Sequence, residues 1–305
     1  MDYKIVASVA NPGSALGEAI GSSMEYALKR LLNEIADQYG CHYLTSGVRK
    51  TKSGKKQKKL LMSDKSGNEY DIDGVLANQS MKPLIIFESK YIRYKKHNRD
   101  KGSWICHAHS AIRRRYHSIR VSNKIHWVYH PPSHSCESRN PFLLGPLRSS
   151  IAILAGNWSG PSQAMMRSNN INLFLIPFNH ICEVLSGLGI DFDWEEKDRD
   201  KAIRAWGNFN KLNSEQKKSI GIKMIDPIKD NLVILIENIL DDTVEREVDK
   251  VLVELISNLG EVKVYEFESI SDALDFLQDN GLKDLFLTTD SDSLFDPPPD
   301  LFEEL

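Results

Sequence analysis

Three charged residues, Asp73, Glu88 and Lys90, have the types and the spacing that metal-assisted chemistry on phosphate requires. Asp73 follows an acidic, turn-rich segment, and Glu88-Ser89-Lys90 follows the apolar run 84–87. Two β-rich runs joined by a short polar turn are typical of adjacent strands. Side chains alternate along a strand, so Glu88 and Lys90 are expected on one side and Ser89 on the other. We therefore expect the two carboxylates and the ammonium to form one cluster.

Such a cluster can hold a Mg²⁺ ion and activate a water molecule. Mg²⁺ typically takes one or two carboxylates from a protein and keeps water and phosphate oxygens as its other ligands. An ammonium beside the metal can orient or deprotonate the attacking water and stabilise charge on the phosphate. The alternative is a hairpin with a surface Glu and a surface Lys, because the D…ExK pattern alone is common.

The stretch resembles the PD-(D/E)xK nuclease superfamily, which has the restriction-endonuclease-like fold. In that family a metal-binding Asp is followed about fifteen residues later by Glu-x-Lys, and Asp73 precedes Glu88 by that distance. The proline of the motif is missing, since Ile72 precedes Asp73. The resemblance implies an α/β core with a central mixed sheet flanked by helices. It also implies Mg²⁺ ligands from Asp73, Glu88 and the Ser89 carbonyl, with Lys90 positioning the water.

Two further carboxylates compete for a place in this site. Residues 15–39 have helical periodicity, and in the resembled family the first helix often supplies a glutamate near the metal. We predict that Glu25 is this glutamate. The alternative is that Glu25 is a solvated carboxylate on the helix surface. Asp71 is the competitor of Asp73, because residues two apart on a strand share a face. Its different spacing to Glu88 counts against it.

Charge is unevenly distributed along the 305 residues, although the net charge is only −3. Residues 1–180 contain 26 Lys and Arg against 12 Asp and Glu, whereas residues 181–305 contain 13 against 30. A basic face binds nucleic acid through counterion release, so this asymmetry indicates a polyanion-binding half joined to an acidic half. Mutual attraction of the halves is the other interpretation. The D…ExK residues lie in the basic half, and we expect double-stranded DNA as the partner.

Two basic segments are predicted to contact the DNA backbone. Residues 49–59 hold seven cations, which suits a phosphate-binding loop and excludes a core segment. A predicted helix over 103–121 carries arginines that would border the substrate groove, although an Arg-rich surface helix is common in any protein. The residues predicted to bind nucleic acid are Lys50, Lys52, Lys55, Lys56, Lys58, Lys59, Arg113 and Arg114.

Histidines and cysteines cluster after the ExK strand. Seven of the nine histidines fall between positions 97 and 134, together with Cys106 and Cys136. The run 106–109 lacks the paired spacing of a structural zinc site, and His107 and His109 would lie on different helix faces. Scattered core, capping or DNA-contacting histidines are therefore favoured over zinc.

The predicted domain organisation has three parts. Residues 1–190 form the basic nuclease core, with further strands predicted at 124–129, 149–158 and 171–178. Residues 191–283 form an acidic, mainly helical accessory region. Its predicted helical segments are 198–207, 214–220, 231–240, 243–259 and 271–278, and 261–267 is a predicted strand. Residues 284–305 form an acidic tail, expected to be disordered. A partner subunit could bind the acidic C-terminal region.

The resemblance implies a Mg²⁺-dependent DNA endonuclease of prokaryotic restriction or phage defence. Cleavage of both strands usually needs two sites, so a homodimer is expected. The alternative is a non-cleaving nucleic-acid-binding subunit of a defence or repair complex. No run approaches the roughly 18 apolar residues of a membrane span, no secretory signal is visible, and the four cysteines lack framework spacing. A cytoplasmic location is expected.

Overall fold

The computed structural model describes residues 11–46, 49–50, 56–57, 59–94, 98–116, 147–241, 243–245 and 247–279. The chain divides into two compact units, Met1–Asp242 and Thr243–Leu305. This division falls after residue 242, whereas the sequence predicted a boundary after residue 190. The predicted strand 124–129 and the predicted tail 284–305 lie outside the described residues.

Short strands and longer helices alternate through the first unit, and a hairpin and one helix are described in the second. The strands are β1 (His42–Thr45), β2 (Arg49–Lys50), β3 (Lys56–Gln57), β4 (Leu61–Ser63), β5 (Glu69–Asp71), β6 (Gly74–Ala77), β7 (Pro83–Ile92), β8 (Ser149–Gly156), β9 (Asn172–Pro177), β10 (Val251–Ile256) and β11 (Val262–Phe267). The helices are α1 (Pro12–Gln38), α2 (Asn98–Tyr116), α3 (Gly160–Ser168), α4 (Phe178–Ser186), α5 (Arg199–Lys211), α6 (Ser214–Leu240) and α7 (Ile270–Asp279).

A mixed five-stranded sheet, in the order β1-β6-β7-β8-β9, lies at the centre of the first unit. The β1–β6 and β6–β7 pairs are antiparallel, whereas the β7–β8 and β8–β9 pairs are parallel. Seven residues of β8 are buried, as expected of a strand covered on both faces. The prediction of an α/β fold with a mixed central sheet and flanking helices is confirmed.

Successive side chains of β7 pack in different hydrophobic clusters on the two faces of the sheet. Phe87 packs in a cluster with α1, α4, α5 and α6, whereas Ile86 packs in a cluster with α2. Ile92 packs with α2 and α3 on that same second face. Because successive side chains point to opposite faces, Ser89 lies toward α1, and Glu88 and Lys90 lie toward α2.

Helix α6 runs unbroken for 27 residues and carries Pro227 inside it. The sequence predicted two separate helical segments, which is wrong. A buried stripe that includes Ile220, Met224, Ile228 and Leu232 continues past the proline and joins the α1 core. Packing along this stripe outweighs the cost of a helix-interior proline.

The second unit is built on a hairpin where the sequence predicted a helix. Strands β10 and β11 pair antiparallel, from Val251 opposite Phe267 to Ile256 opposite Val262. Gly260, predicted as a helix stop, has a φ of +86° in the connecting turn. The predicted helix 243–259 is therefore wrong, because the residues of β10 alternate between half-buried and exposed with a period of two.

No helix in the described part of the chain is both long and apolar enough to cross a membrane.

Candidate functional site

The β6–β7 hairpin brings the D…ExK residues together. Gly74 pairs with Phe87, so Asp73, which immediately precedes β6, lies beside Glu88 of the neighbouring strand. The Asp73 main-chain nitrogen lies 3.5 Å from Glu88 Oε2. Ile72 is fully buried and anchors the segment before Asp73. Strand pairing therefore positions the two carboxylates.

Asp73 and Glu88 converge on the ammonium of Lys90. Lys90 Nζ lies 2.9 Å from Asp73 Oδ2 and 2.7 Å from Glu88 Oε1. Asp73 Oδ2 also accepts a 2.9 Å hydrogen bond from the Ser89 main-chain nitrogen. The predicted cluster thus exists, and the main chain of β7 helps to orient its aspartate.

Burial and neighbouring charges shift the pKa values of Glu88 and Lys90. Burial, and then the negative charge of Asp73, raise the pKa of Glu88 to about 7, although the nearby Lys90 opposes this shift. Burial alone would lower the pKa of Lys90, but Glu88 and Asp73 outweigh it and raise that pKa above its usual value. Lys90 is therefore a permanent positive charge at neutral pH, and the proton on Glu88 is exchangeable.

Helix α1 places Glu25 beside the cluster, across a cavity of about 240 Å³ that includes Asp73 in its wall. Desolvation and the charge of Asp73 raise the pKa of Glu25, whereas Lys90 lowers it. Glu25 and Asp73 line the same cavity, so the predicted helper carboxylate lies near the cluster. The residue itself is exposed, so it can still meet a ligand from solvent.

Tyr43 of β1 is a member of this site that the sequence analysis missed. Burial and the charges of Asp73 and Glu25 raise the pKa of its hydroxyl. The hydroxyl lies so close to the Gly74 backbone that a Cβ at position 74 would overlap it. No sequence pattern indicates Tyr43, because only the pairing of β1 with β6 brings it here.

Asp71, the competitor of Asp73, lies outside the cluster. It ends β5 opposite Leu61, and its carboxylate lies 3.4 Å from Lys59 Nζ. Asp71 and Asp73 do not share one continuous strand, because β5 ends at Asp71 and β6 begins at Gly74. Tertiary structure thus places Asp73, and not Asp71, with Glu88.

The basic segment 49–59 is only partly described. Lys50 and Lys56 pair across the short β2–β3 ladder. Their side chains, and the residues Lys52, Lys55 and Lys58, lie outside the described part. Lys59 is exposed and forms the ion pair with Asp71.

The two arginines predicted to contact DNA have different environments. Arg113 donates hydrogen bonds to the main-chain carbonyls of Asn169 and Asn170, which follow α3. It therefore joins α2 to the segment after α3, and its contact with DNA stays a prediction. Arg114 is exposed.

The cysteine and histidine residues of α2 have separate environments. His107 Nε2 lies 3.3 Å from the Tyr70 hydroxyl, and Cys106 Sγ lies 3.7 Å from the Met165 carbonyl. His109 is fully buried, and burial, followed by the charges of Arg113 and Lys90, lowers its pKa to about 3. Among the described residues, no three His, Cys, Asp or Glu side chains form a metal-binding group.

The comparisons with known proteins do not identify a relative of known function. No protein-family model and no curated protein matches the chain. A crystal structure of a protein of unknown function, AF1548, matches over 71% of this chain and 98% of its own length. The two sequences are 9% identical and the TM-score is 0.27, so the similarity carries no conclusion about fold or site.

Proposed function

We propose that this protein is a Mg²⁺-dependent nuclease of the PD-(D/E)xK type, which hydrolyses phosphodiester bonds in DNA. The convergence of Asp73 and Glu88 on Lys90 Nζ, at 2.9 and 2.7 Å, carries the proposal. The mixed sheet flanked by helices is compatible with a restriction-endonuclease-like core. The basic charge of residues 1–180 favours a polyanionic substrate. Restriction or phage defence is the role that the resemblance implies.

The residues of the cluster fit a Mg²⁺ ion. The carboxylates of Asp73 and Glu88 both contact the Lys90 ammonium, so they converge on one position where a cation can bind. Oxygen ligands suit Mg²⁺, and a buried carboxyl with a pKa of about 7 loses its proton readily when a divalent cation binds. Asp73 and Glu88 would hold the ion, which supplies Lewis-acid stabilisation of the charge that develops on the phosphate.

Lys90 is expected to position the attacking water and to stabilise the phosphate. Its raised pKa keeps it protonated, so it donates hydrogen bonds and does not serve as the general base. Asp73 holds it in place through the 2.9 Å contact. In-line attack depends on such positioning, and a small displacement of Lys90 would cost a large part of the rate.

Cleavage of supercoiled and linear duplex DNA, in Mg²⁺ and in EDTA, tests the proposal. Asp73→Asn and Lys90→Met are each expected to reduce cutting by about 100-fold or more. Asp71→Asn is the matched control, because it changes a nearby, partly exposed carboxylate outside the cluster. Discrete fragments would indicate a sequence-specific endonuclease.

Absence of cutting on DNA of several methylation states would contradict the nuclease proposal. If tight, salt-sensitive DNA binding remained, the chain would instead be a non-cleaving nucleic-acid-binding subunit. Cutting that survives in Asp73→Asn but fails in Asp71→Asn would place the metal ligands elsewhere. Sedimentation analysis with and without DNA tests the expected homodimer.

A further inference from the structure

We propose that the cavity between α1 and the sheet, beside Asp73, binds the DNA backbone next to the scissile phosphate, with Lys29 as its phosphate contact. This inference rests on the proposed nuclease function and adds to it the path of the substrate strand. It also identifies a residue that the D…ExK pattern does not include.

One face of α1 lines this cavity. Ser22, Glu25, Tyr26 and Lys29 are spaced at i, i+3, i+4 and i+7, so they form a continuous stripe along the helix. All four are exposed, whereas the neighbouring Met24, Ala27 and Leu28 are buried in the core. The stripe therefore faces a ligand or solvent and is not needed to hold the helix on the sheet.

The opposite wall comes from β1 and the hairpin that carries the proposed metal ligands. Tyr43, Thr45 and Ser46 line it, together with Asp73 and Ser89. Asp73 lies in the cavity wall and contacts Lys90 of the cluster, so the proposed path of the strand runs from a phosphate at the cluster past Asp73 into the cavity. A volume of about 240 Å³ admits part of a nucleotide.

Apart from the carboxylates of Glu25 and Asp73, the polar groups of the lining have the chemistry of backbone recognition. Hydroxyl groups from Ser22, Thr45 and Ser46 can donate to phosphate and sugar oxygens, which carry no sequence information. Lys29 supplies the positive charge, and it forms no ion pair with another described residue. We therefore expect this subsite to bind all DNA sequences alike.

The next residue of α1 provides a matched control. Arg30 is also exposed, but its Nε lies 2.9 Å from Glu34 Oε1 and it is absent from the cavity wall. Lys29→Gln and Arg30→Gln remove the same charge from adjacent positions of one helix. A general effect of net charge would appear in both variants, and only Lys29→Gln would show the effect of a cavity contact.

Binding of a labelled duplex oligonucleotide, measured by fluorescence anisotropy over a range of salt concentrations in EDTA, is the first experiment. Lys29→Gln is expected to weaken binding several-fold on every sequence. It should also reduce the slope of log K against log salt by about one relative to the wild type. Arg30→Gln should leave that slope within error of the wild type.

Cleavage kinetics provide the second readout. If Lys29 binds the ground state and the transition state equally, Lys29→Gln should raise KM and leave kcat near the wild-type value. Equal salt slopes and equal KM for the two variants, with a wild type that cuts, would overturn the subsite and leave the nuclease proposal intact. A wild type that neither binds nor cuts DNA would overturn both.

Discussion

Glu88 Oε1 lies 2.7 Å from Lys90 Nζ, and the Glu88 side chain is completely inaccessible to solvent. The ammonium does not offset the loss of water, since burial and Asp73 together raise the pKa of Glu88 to about 7. The protein thus keeps a carboxylate where its charged form is costly. Such an arrangement is common at functional sites, where binding of a ligand offsets the cost.

Glu88→Gln is expected to stabilise the protein at alkaline pH in EDTA. The usual pKa of 4.5 applies in the unfolded chain and about 7 in the folded one, so the folded state binds more protons between these values. Wild-type stability therefore falls as pH rises from 4.5 to 7, by up to about 3 kcal/mol. Urea unfolding at pH 5 and pH 8 measures this difference.

The Gln variant lacks the titrating group, so its stability relative to the wild type should be higher at pH 8 than at pH 5. Asp71→Asn, at a carboxylate that is not part of the cluster, should show no comparable change. If the difference in unfolding free energy between Glu88→Gln and the wild type were the same at both pH values, burial would not raise the pKa of Glu88.

Mg²⁺ is expected to stabilise the folded protein through Asp73 and Glu88. Binding to the folded state alone adds about 2.7 kcal/mol when the free ion is 100-fold above its Kd. The midpoint of thermal unfolding should rise with Mg²⁺ in the wild type and in Asp71→Asn, but not in Asp73→Asn. An equal rise in all three proteins would assign the ion to another place.

His109→Leu is expected to make the protein less sensitive to acid. The pKa of His109 is about 3 in the folded state against the usual 6.5, so the unfolded state binds the extra proton between these values. Wild-type stability is therefore lost as pH falls below 6.5, by about 2 kcal/mol at pH 5.

The unfolding free energy of His109→Leu should rise by that amount relative to the wild type as the pH falls from 7 to 5, as measured by chemical denaturation. His107→Leu, at an exposed position of the same helix, is the control. If the unfolding free energies of the wild type and of His109→Leu depended on pH in the same way, His109 would not be buried as a neutral group.

Gly74→Ala is expected to displace Tyr43 from the site. The new Cβ would overlap the Tyr43 hydroxyl, and one of the two groups must move, at a cost of about 1–3 kcal/mol. Tyr43→Phe removes the overlapping oxygen, so the Ala substitution should cost less in that background. A double-mutant cycle measured by urea unfolding gives the coupling, and additive effects would contradict the contact.

Gly221→Ala is expected to separate α6 from α1. A Cβ at position 221 would overlap the main-chain carbonyl of Ser23, and backbone cannot rotate away as a side chain does. We expect a loss of at least about 2 kcal/mol of unfolding free energy, measured by urea unfolding. Gly21→Ala, where the Cβ would meet Tyr91 at 3.8 Å, should be neutral or stabilising by up to about 1 kcal/mol.

The sequence by itself determined the features that depend on neighbours along the chain. The alternation that puts Glu88 and Lys90 on one side of β7 follows from the period of a strand. The apolar stripe of α1, the position of Glu25 close to that stripe and the hairpin between Asp73 and Glu88 follow from helical spacing and from a short polar turn. These signals are local, so a single sequence contains them.

Local sequence patterns left some alternatives open, and only the tertiary structure decided between them. Asp73 joins the cluster and Asp71 does not, because two separate strands pair with different partners. Arg113 bonds to the main chain that follows α3, and β10 pairs with β11 instead of forming a helix. Tyr43 and Lys29 line one cavity with Asp73, although their elements are distant in sequence. Each outcome depends on contacts between distant segments, whose free energy outweighs the weak local preferences that a sequence pattern reports.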